Sequence, residues 1–88
     1  MAKVELYTTP LCPYCRRALA LFKRRGVEVI NVDLWLHPGR REEMLERSKG
    51  ARTVPQIFIN GRHVGGSNEL AALEERGELD ALLAEDAP

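Results

Sequence analysis

The stretch Leu11-Cys12-Pro13-Tyr14-Cys15-Arg16-Arg17 constrains this chain more than any other. It holds both cysteines of the sequence, two residues apart, between an apolar alternating run and an amphipathic pattern of helical period. In an α-helix that spacing brings two side chains to the same end of the first turn, within bonding reach of each other. Pro13 suits the first helical turn, where its missing N–H is not needed, so Cys12 falls at the helix's N-terminal edge. Unpaired backbone N–H groups and the positive end of the helix dipole face its sulfur there. They favour the thiolate, the reactive form of cysteine. Cys12 is the expected nucleophile, and Cys15, one turn further in, the thiol that resolves it.

The patterns on either side define an order of elements. Lys3-Val4-Glu5-Leu6-Tyr7-Thr8 reads as a first strand, which Pro10 cannot continue. From Pro13 a helix places Tyr14, Ala18, Leu21 and Phe22 on one face, and Gly26 is its C-terminal cap. Val27 to Val32 reads as a second strand, and a right-handed crossover makes it parallel to the first. After a loop from Asp33, a second helix is expected from Pro38 to about Lys49, with Met44 and Leu45 inward and Gly50 closing it. Gln56 to Ile59 and Arg62 to Val64 flank Asn60-Gly61, the strongest short-range hairpin signal.

Gly65-Gly66 then turns into a last helix that Ser67 or Asn68 caps, with Glu69 in its first turn. Leu70 and Leu73 face inward, Leu79, Leu82 and Leu83 form one more packed turn, and residues 84–88 are expected to fray. The expectation is an α/β fold of order β-α-β-α-β-β-α, with a four-stranded mixed sheet flanked by helices. One domain spans residues 1–88.

Composition enters as a set of exclusions. Thirteen basic residues balance thirteen acidic ones, which argues against nucleic-acid binding through a strong global field. Neither a secretory signal pattern nor an apolar run long enough for a bilayer stands in the sequence, so no membrane association and a cytoplasmic location are expected. In that compartment structural disulfides are rare, and a C-x-x-C near a β-α-β pattern reads as a redox pair. Zinc is the competing reading. It usually needs four ligands, and His37 and His63 have no typical spacing from the cysteines.

Motif and order together resemble the glutaredoxins, members of the thioredoxin fold, over nearly the whole chain. Cys12-Pro13-Tyr14-Cys15 is the dithiol tetrapeptide of that family. Thr53-Val54-Pro55 matches its loop with a cis proline facing the active site, which turns the backbone of Val54 toward an extended peptide such as glutathione. Gly65-Gly66 with Ser67-Asn68 matches the turn that holds the γ-glutamyl end of glutathione, where N–H groups at a helix start bind a carboxylate. The resemblance makes Tyr14 a wall of the glutathione groove. Arg16 is a candidate to favour the thiolate, and Arg41 a candidate for the glycyl carboxylate, whereas Trp35 and His63 read as structural. Many members have lysine where Thr9 stands, and acids or a serine and an acid where Asn68-Glu69 stands; both departures bear on glutathione affinity.

The resemblance implies a glutathione-dependent thiol–disulfide oxidoreductase acting on disulfide-containing or glutathionylated proteins. It uses Cys12 and Cys15, takes glutathione as cosubstrate with no metal, and works as a monomer. Two alternatives stand beside it: a related redoxin reduced by thioredoxin reductase, and an iron–sulfur carrier bridging two chains through Cys12 and glutathione.

Overall fold

A computed structural model describes residues 2–87. The sheet grows outward from β1 (Val4–Thr8), with β2 (Val29–Asp33) parallel on one side and β3 (Gln56–Ile59) antiparallel on the other. β4 (Arg62–Gly65) pairs antiparallel with β3 at the far edge, so the order is β2-β1-β3-β4. The helices are α1 (Pro13–Arg24), α2 (Arg41–Arg47), α3 (Ser67–Glu75) and α4 (Leu79–Ala84), and a 3-10 turn (Pro38–Arg40) leads into α2. This is the mixed four-stranded sheet expected, with the last packed leucines wound into a short helix of their own.

Alternation along the strands divides the interior into two layers. Val4, Leu6, Ile57 and Ile59 pack with Ala18, Leu21 and Phe22 of α1, Leu70 of α3 and Leu79 of α4. On the opposite face Tyr7, Val32 and Phe58 pack with Leu34 and with Met44 of α2. Glu5 lies on that second face too, where Arg47 of α2 donates to both its carboxylate oxygens at 3.0 and 3.1 Å. Arg47 also donates to the Tyr7 hydroxyl at 2.9 Å, and that hydroxyl donates to Glu43.

The element boundaries shift where caps form. β2 begins at Val29, not Val27, because Val27 N–H bonds Phe22 C=O at 3.0 Å and Gly26 N–H bonds Lys23 C=O at 3.0 Å. That is a Schellman closure, with Gly26 at φ +69° in the position that disfavours a Cβ. α2 is shorter than expected at both ends; Lys49 takes a left-handed position, and Gly50, also at positive φ, closes the helix as expected with its N–H on Leu45 C=O at 2.7 Å. Ser48 is buried there, and its hydroxyl accepts Ala51 N–H at 3.1 Å, which turns the chain early. Met44 is buried as expected, and Leu45 is half-buried. Of the expected tail, Ala84 ends α4, the carbonyls of Glu85 and Asp86 face Asn60 at 3.3 and 3.5 Å, and Pro88 lies outside the described residues.

Candidate active site

The carboxyl ends of β1 and β2 and the start of β3 lie at one end of the sheet, and the cysteines sit there because β1 runs directly into α1. Cys12 is the N-cap of α1, with extended backbone (φ −92°, ψ 114°) and Pro13 at the first helical position. Its sulfur accepts the backbone N–H of Cys15 at 3.3 Å, the role a serine or aspartate oxygen plays in an ordinary cap. Cys12 is partly exposed and Cys15 is buried; neither is in a disulfide.

The two thiols are pushed in opposite directions. For Cys12 the largest single influence is burial, which raises the pKa. Hydrogen bonds from the Cys15 side chain and from the N–H groups of Cys15 and Tyr14 together outweigh it and leave the thiol below its ordinary value. The lowering comes from those hydrogen bonds and not from Arg16, which is exposed. Burial pushes Cys15 up to about 12, with the Cys12 sulfur adding to the rise against a lowering bond from the Thr9 backbone. Of the two, Cys12 gives up its proton the more readily, and Cys15 holds its own.

Beside Cys12 runs a groove of about 360 Å³ lined by Tyr14, Thr53, Val54, Pro55, Gly66, Ser67, Asn68 and Glu69. The first seven are the residues singled out in the sequence, brought together from α1, the loop before β3 and the start of α3. Cys12 joins them through its thiol, which donates to Val54 C=O at 3.7 Å. The Val54–Pro55 bond is cis. Tyr14 is more than half exposed and carries the Arg17 guanidinium 5.6 Å from its ring centroid.

The far wall departs from expectation in its cap. Gly66, not Ser67 or Asn68, is the N-cap of α3. Having no side chain, it caps through its backbone: its N–H donates to Glu69 Oε1 at 2.7 Å and its C=O accepts Leu70 N–H at 3.1 Å. Ser67 and Asn68 occupy the first turn, where backbone N–H groups have no acceptor within the helix. Gly65, at φ +120°, could not be replaced without collision, since a Cβ there would lie 2.8 Å from Glu69 Cγ and Oε1. Glu69 lines the groove too, at the position where, with Asn68, the sequence departs from the resemblance, although it was not among the groove residues singled out. Its position three residues after the N-cap glycine is the capping-box signal that could have found it.

Arg41 is not in the groove wall: it reaches the Arg52 carbonyl at 3.5 Å, on the segment leading to Thr53. Trp35, read as structural, is 59% exposed. His63 is exposed on β4, with its ring stacked on Phe58 at a centroid distance of 4.9 Å. Among the described residues no group of three or more His, Cys, Asp and Glu is placed to hold a metal ion, and no helix is long and apolar enough to cross a membrane.

The family model described as Glutaredoxin matches residues 4–64. Glutaredoxin 3 of Escherichia coli K12 is 51% identical over 83 residues, which cover 94% of this chain and 99% of that protein. The solution structure of glutaredoxin from Brucella melitensis is 52% identical, covering 94% of this chain and 89% of that one at a TM-score of 0.79. A crystal structure of a buckwheat glutaredoxin–glutathione complex is 26% identical with a TM-score of 0.84, covering 93% of this chain and 76% of the other.

Proposed function

This chain belongs to the glutaredoxin family, with its thioredoxin-like fold and thiol–disulfide oxidoreductase activity, and from that premise we propose that Cys12 attacks, Cys15 resolves, and glutathione occupies the groove beside them. The observation that carries the reading is the placement of the Cys12 sulfur at the N-terminus of α1, 3.7 Å from Val54 C=O in the groove wall. The buckwheat relative, solved with glutathione, supports the choice of ligand.

The chemistry follows from the two thiols. Cys12 thiolate attacks the glutathione sulfur of a mixed disulfide, and the partner protein leaves as a thiolate that takes up a proton. A second glutathione thiolate then attacks the glutathione sulfur held on Cys12, releasing glutathione disulfide and restoring Cys12 thiolate. On a disulfide within one protein, Cys12 forms the mixed disulfide and Cys15 attacks Cys12, leaving the Cys12–Cys15 disulfide and a reduced partner. Cys15 stays protonated while Cys12 is charged. Once the Cys12 sulfur is bonded its charge is gone, and the part of the Cys15 elevation owed to it disappears. Resolution is thereby delayed until there is something to resolve.

In the groove, Val54 supplies backbone to pair with the extended tripeptide, Tyr14 and Pro55 give apolar contact, and Thr53 closes that side. Gly66 lets the ligand approach, and the N–H groups of Ser67 and Asn68 take its γ-glutamyl carboxylate. Partners are disulfide-containing or glutathionylated proteins, met by a monomer in the cytoplasm.

The test is reduction of a glutathione mixed disulfide coupled to glutathione reductase. Wild type and Cys15→Ser turn over, and Cys12→Ser is inactive. Turnover of wild type by thioredoxin reductase alone would reject the glutathione reading and make the protein a redoxin of the other kind. Iodoacetamide alkylation of Cys12 is half-maximal below the pH of an ordinary thiol; a free-thiol titration would remove the helix-terminus argument.

A further inference from the structure

One polar chain, exposed at His63 and buried at Gln56, runs from the edge of the sheet to the groove and has no part in the chemistry above. Gln56, the first residue of β3, is only 3% exposed, yet it carries an amide. Its Nε2 donates to Thr53 C=O at 3.0 Å and approaches Thr53 Oγ1 at 3.3 Å. Its Oε1 lies 2.7 Å from Nε2 of His63, on β4. His63 stands opposite Phe58 in the ladder, so Gln56 is its diagonal neighbour on the same face.

The donor directions are settled by chemistry. A carbonyl oxygen only accepts, so the amide nitrogen of Gln56 faces Thr53 and its oxygen faces His63. That oxygen also only accepts, so the hydrogen between them sits on His63 Nε2. The Thr53 carbonyl thus sets the orientation of the amide, and the His63 Nε2–H bond secures its other end, so that Gln56 is held against Thr53 from both sides. The other polar ties from this loop to neighbouring elements are long: Arg41 to Arg52 C=O at 3.5 Å and the Cys12 thiol to Val54 C=O at 3.7 Å. The ring of His63 is itself held by stacking on Phe58, over which the Arg47 guanidinium lies 4.1 Å from the ring centroid.

We propose that His63 is a positioning residue for the active-site groove, acting through Gln56 to hold the Thr53-Val54-Pro55 loop in the conformation that presents the Val54 backbone. The inference rests on the reading of that groove as the glutathione site. Its consequence is selective. The His63–Gln56 pair governs how well the glutathionyl group is bound and leaves the ionisation of Cys12, set at the other wall by α1, untouched.

Three variants separate this from a merely structural role. His63→Phe keeps a ring on Phe58 and drops the donor; His63→Gln keeps a donor of similar reach and drops the ring; Gln56→Met drops both bonds. KM and kcat for a glutathione mixed disulfide, the pH of half-maximal Cys12 alkylation and Tm are measured for each. His63→Phe and Gln56→Met raise KM up to roughly tenfold, the scale of one lost hydrogen bond, with kcat and the alkylation pH unchanged. His63→Gln stays within about twofold of wild type in KM, and adding His63→Phe to Gln56→Met raises KM no further.

An unmoved KM in His63→Phe, or a KM rise that merely tracks Tm across all three variants, overturns the proposal. So does nitrogen-15 NMR of wild type showing the neutral His63 ring protonated at Nδ1 and bare at Nε2, a readout that needs no variant to fold. Wild type that shows no saturation by the mixed disulfide overturns the glutathione reading itself. Wild type that saturates beside an unaffected His63→Phe overturns only the positioning role.

Discussion

The two faces of the sheet are built by different means. Under α1, α3 and α4 the interior is hydrocarbon: Leu6, Phe22, Ile57 and Leu79 are wholly buried, and the charges stay at the margin, where Arg25 reaches Glu74 and Asp80. Under α2 the interior is mixed. Tyr7, Met44, Phe58 and Gln56 are buried there, and around them Arg47 bonds Glu5 and Tyr7, Tyr7 bonds Glu43, and the exposed His63 bonds Gln56. Among the described residues no buried side-chain nitrogen or oxygen lacks a partner. Hydrocarbon burial stabilises without regard to direction, whereas a buried polar group stabilises only when its partner is in place. The first face therefore anchors the fold, and the second holds particular side chains in particular orientations, including those next to the Thr53 loop.

The contrast can be broken from the largest effect downward. Phe22→Ala removes a ring with no exposure from the hydrocarbon face and should cost about 3–5 kcal/mol, read as a fall in the urea midpoint. A loss under 1 kcal/mol would mean that this face does not carry the fold. Arg47→Met keeps much of the packing on Phe58 but strips Glu5 of its partner, for about 1–2 kcal/mol. The double variant Glu5→Gln with Arg47→Met should recover part of that, since the penalty lies in the stranded charge and not in the missing bond. A double variant worse than the single would show the ion pair itself to be strongly stabilising.

Tyr7→Phe deletes the hydroxyl that joins Arg47 to Glu43, for about 1 kcal/mol by thermal unfolding. The smallest effect concerns pH. The hydrogen bond from Arg40, seconded by the Tyr7 hydroxyl, holds the Glu43 carboxyl below its ordinary value. A carboxyl depressed in the folded state stabilises above its unfolded pKa, and that contribution is lost as pH falls through the folded one. Glu43→Gln should flatten the acid limb of stability below about pH 4.5 by no more than about 0.5 kcal/mol, since the group is half-exposed. A steeper acid limb in the variant would reverse the assigned sign.

Much of this was legible beforehand, unevenly. The hairpin at Asn60-Gly61, the parallel β1–β2 pair, the start of α1 at Pro13 and the inward Ala18, Leu21 and Phe22 follow from local residue types and periodicity, and the structure has them, while Tyr14 of the same expected face is exposed. The end of α2 was misread because the turn at Ser48 depends on a side-chain hydrogen bond that no periodicity encodes. The cap of α3 was assigned to Ser67 or Asn68 by preference, but Glu69 supplies the carboxylate from inside the helix. Gln56 looked like one more strand residue, and His63 read as structural in the hairpin; their pairing needs β4 folded back on β3.

By itself the sequence determined the order of elements, the apolar stripe of α1 and the placing of Cys12 at a helix start, because each depends on residues within a turn or a strand of one another. Only the tertiary structure decided the groove and the mixed layer. Tyr14, Val54 and Ser67 meet there from segments tens of residues apart. The polar groups beneath α2 find their partners across strands and helices, where direction and distance, not residue type, decide whether a hydrogen bond exists.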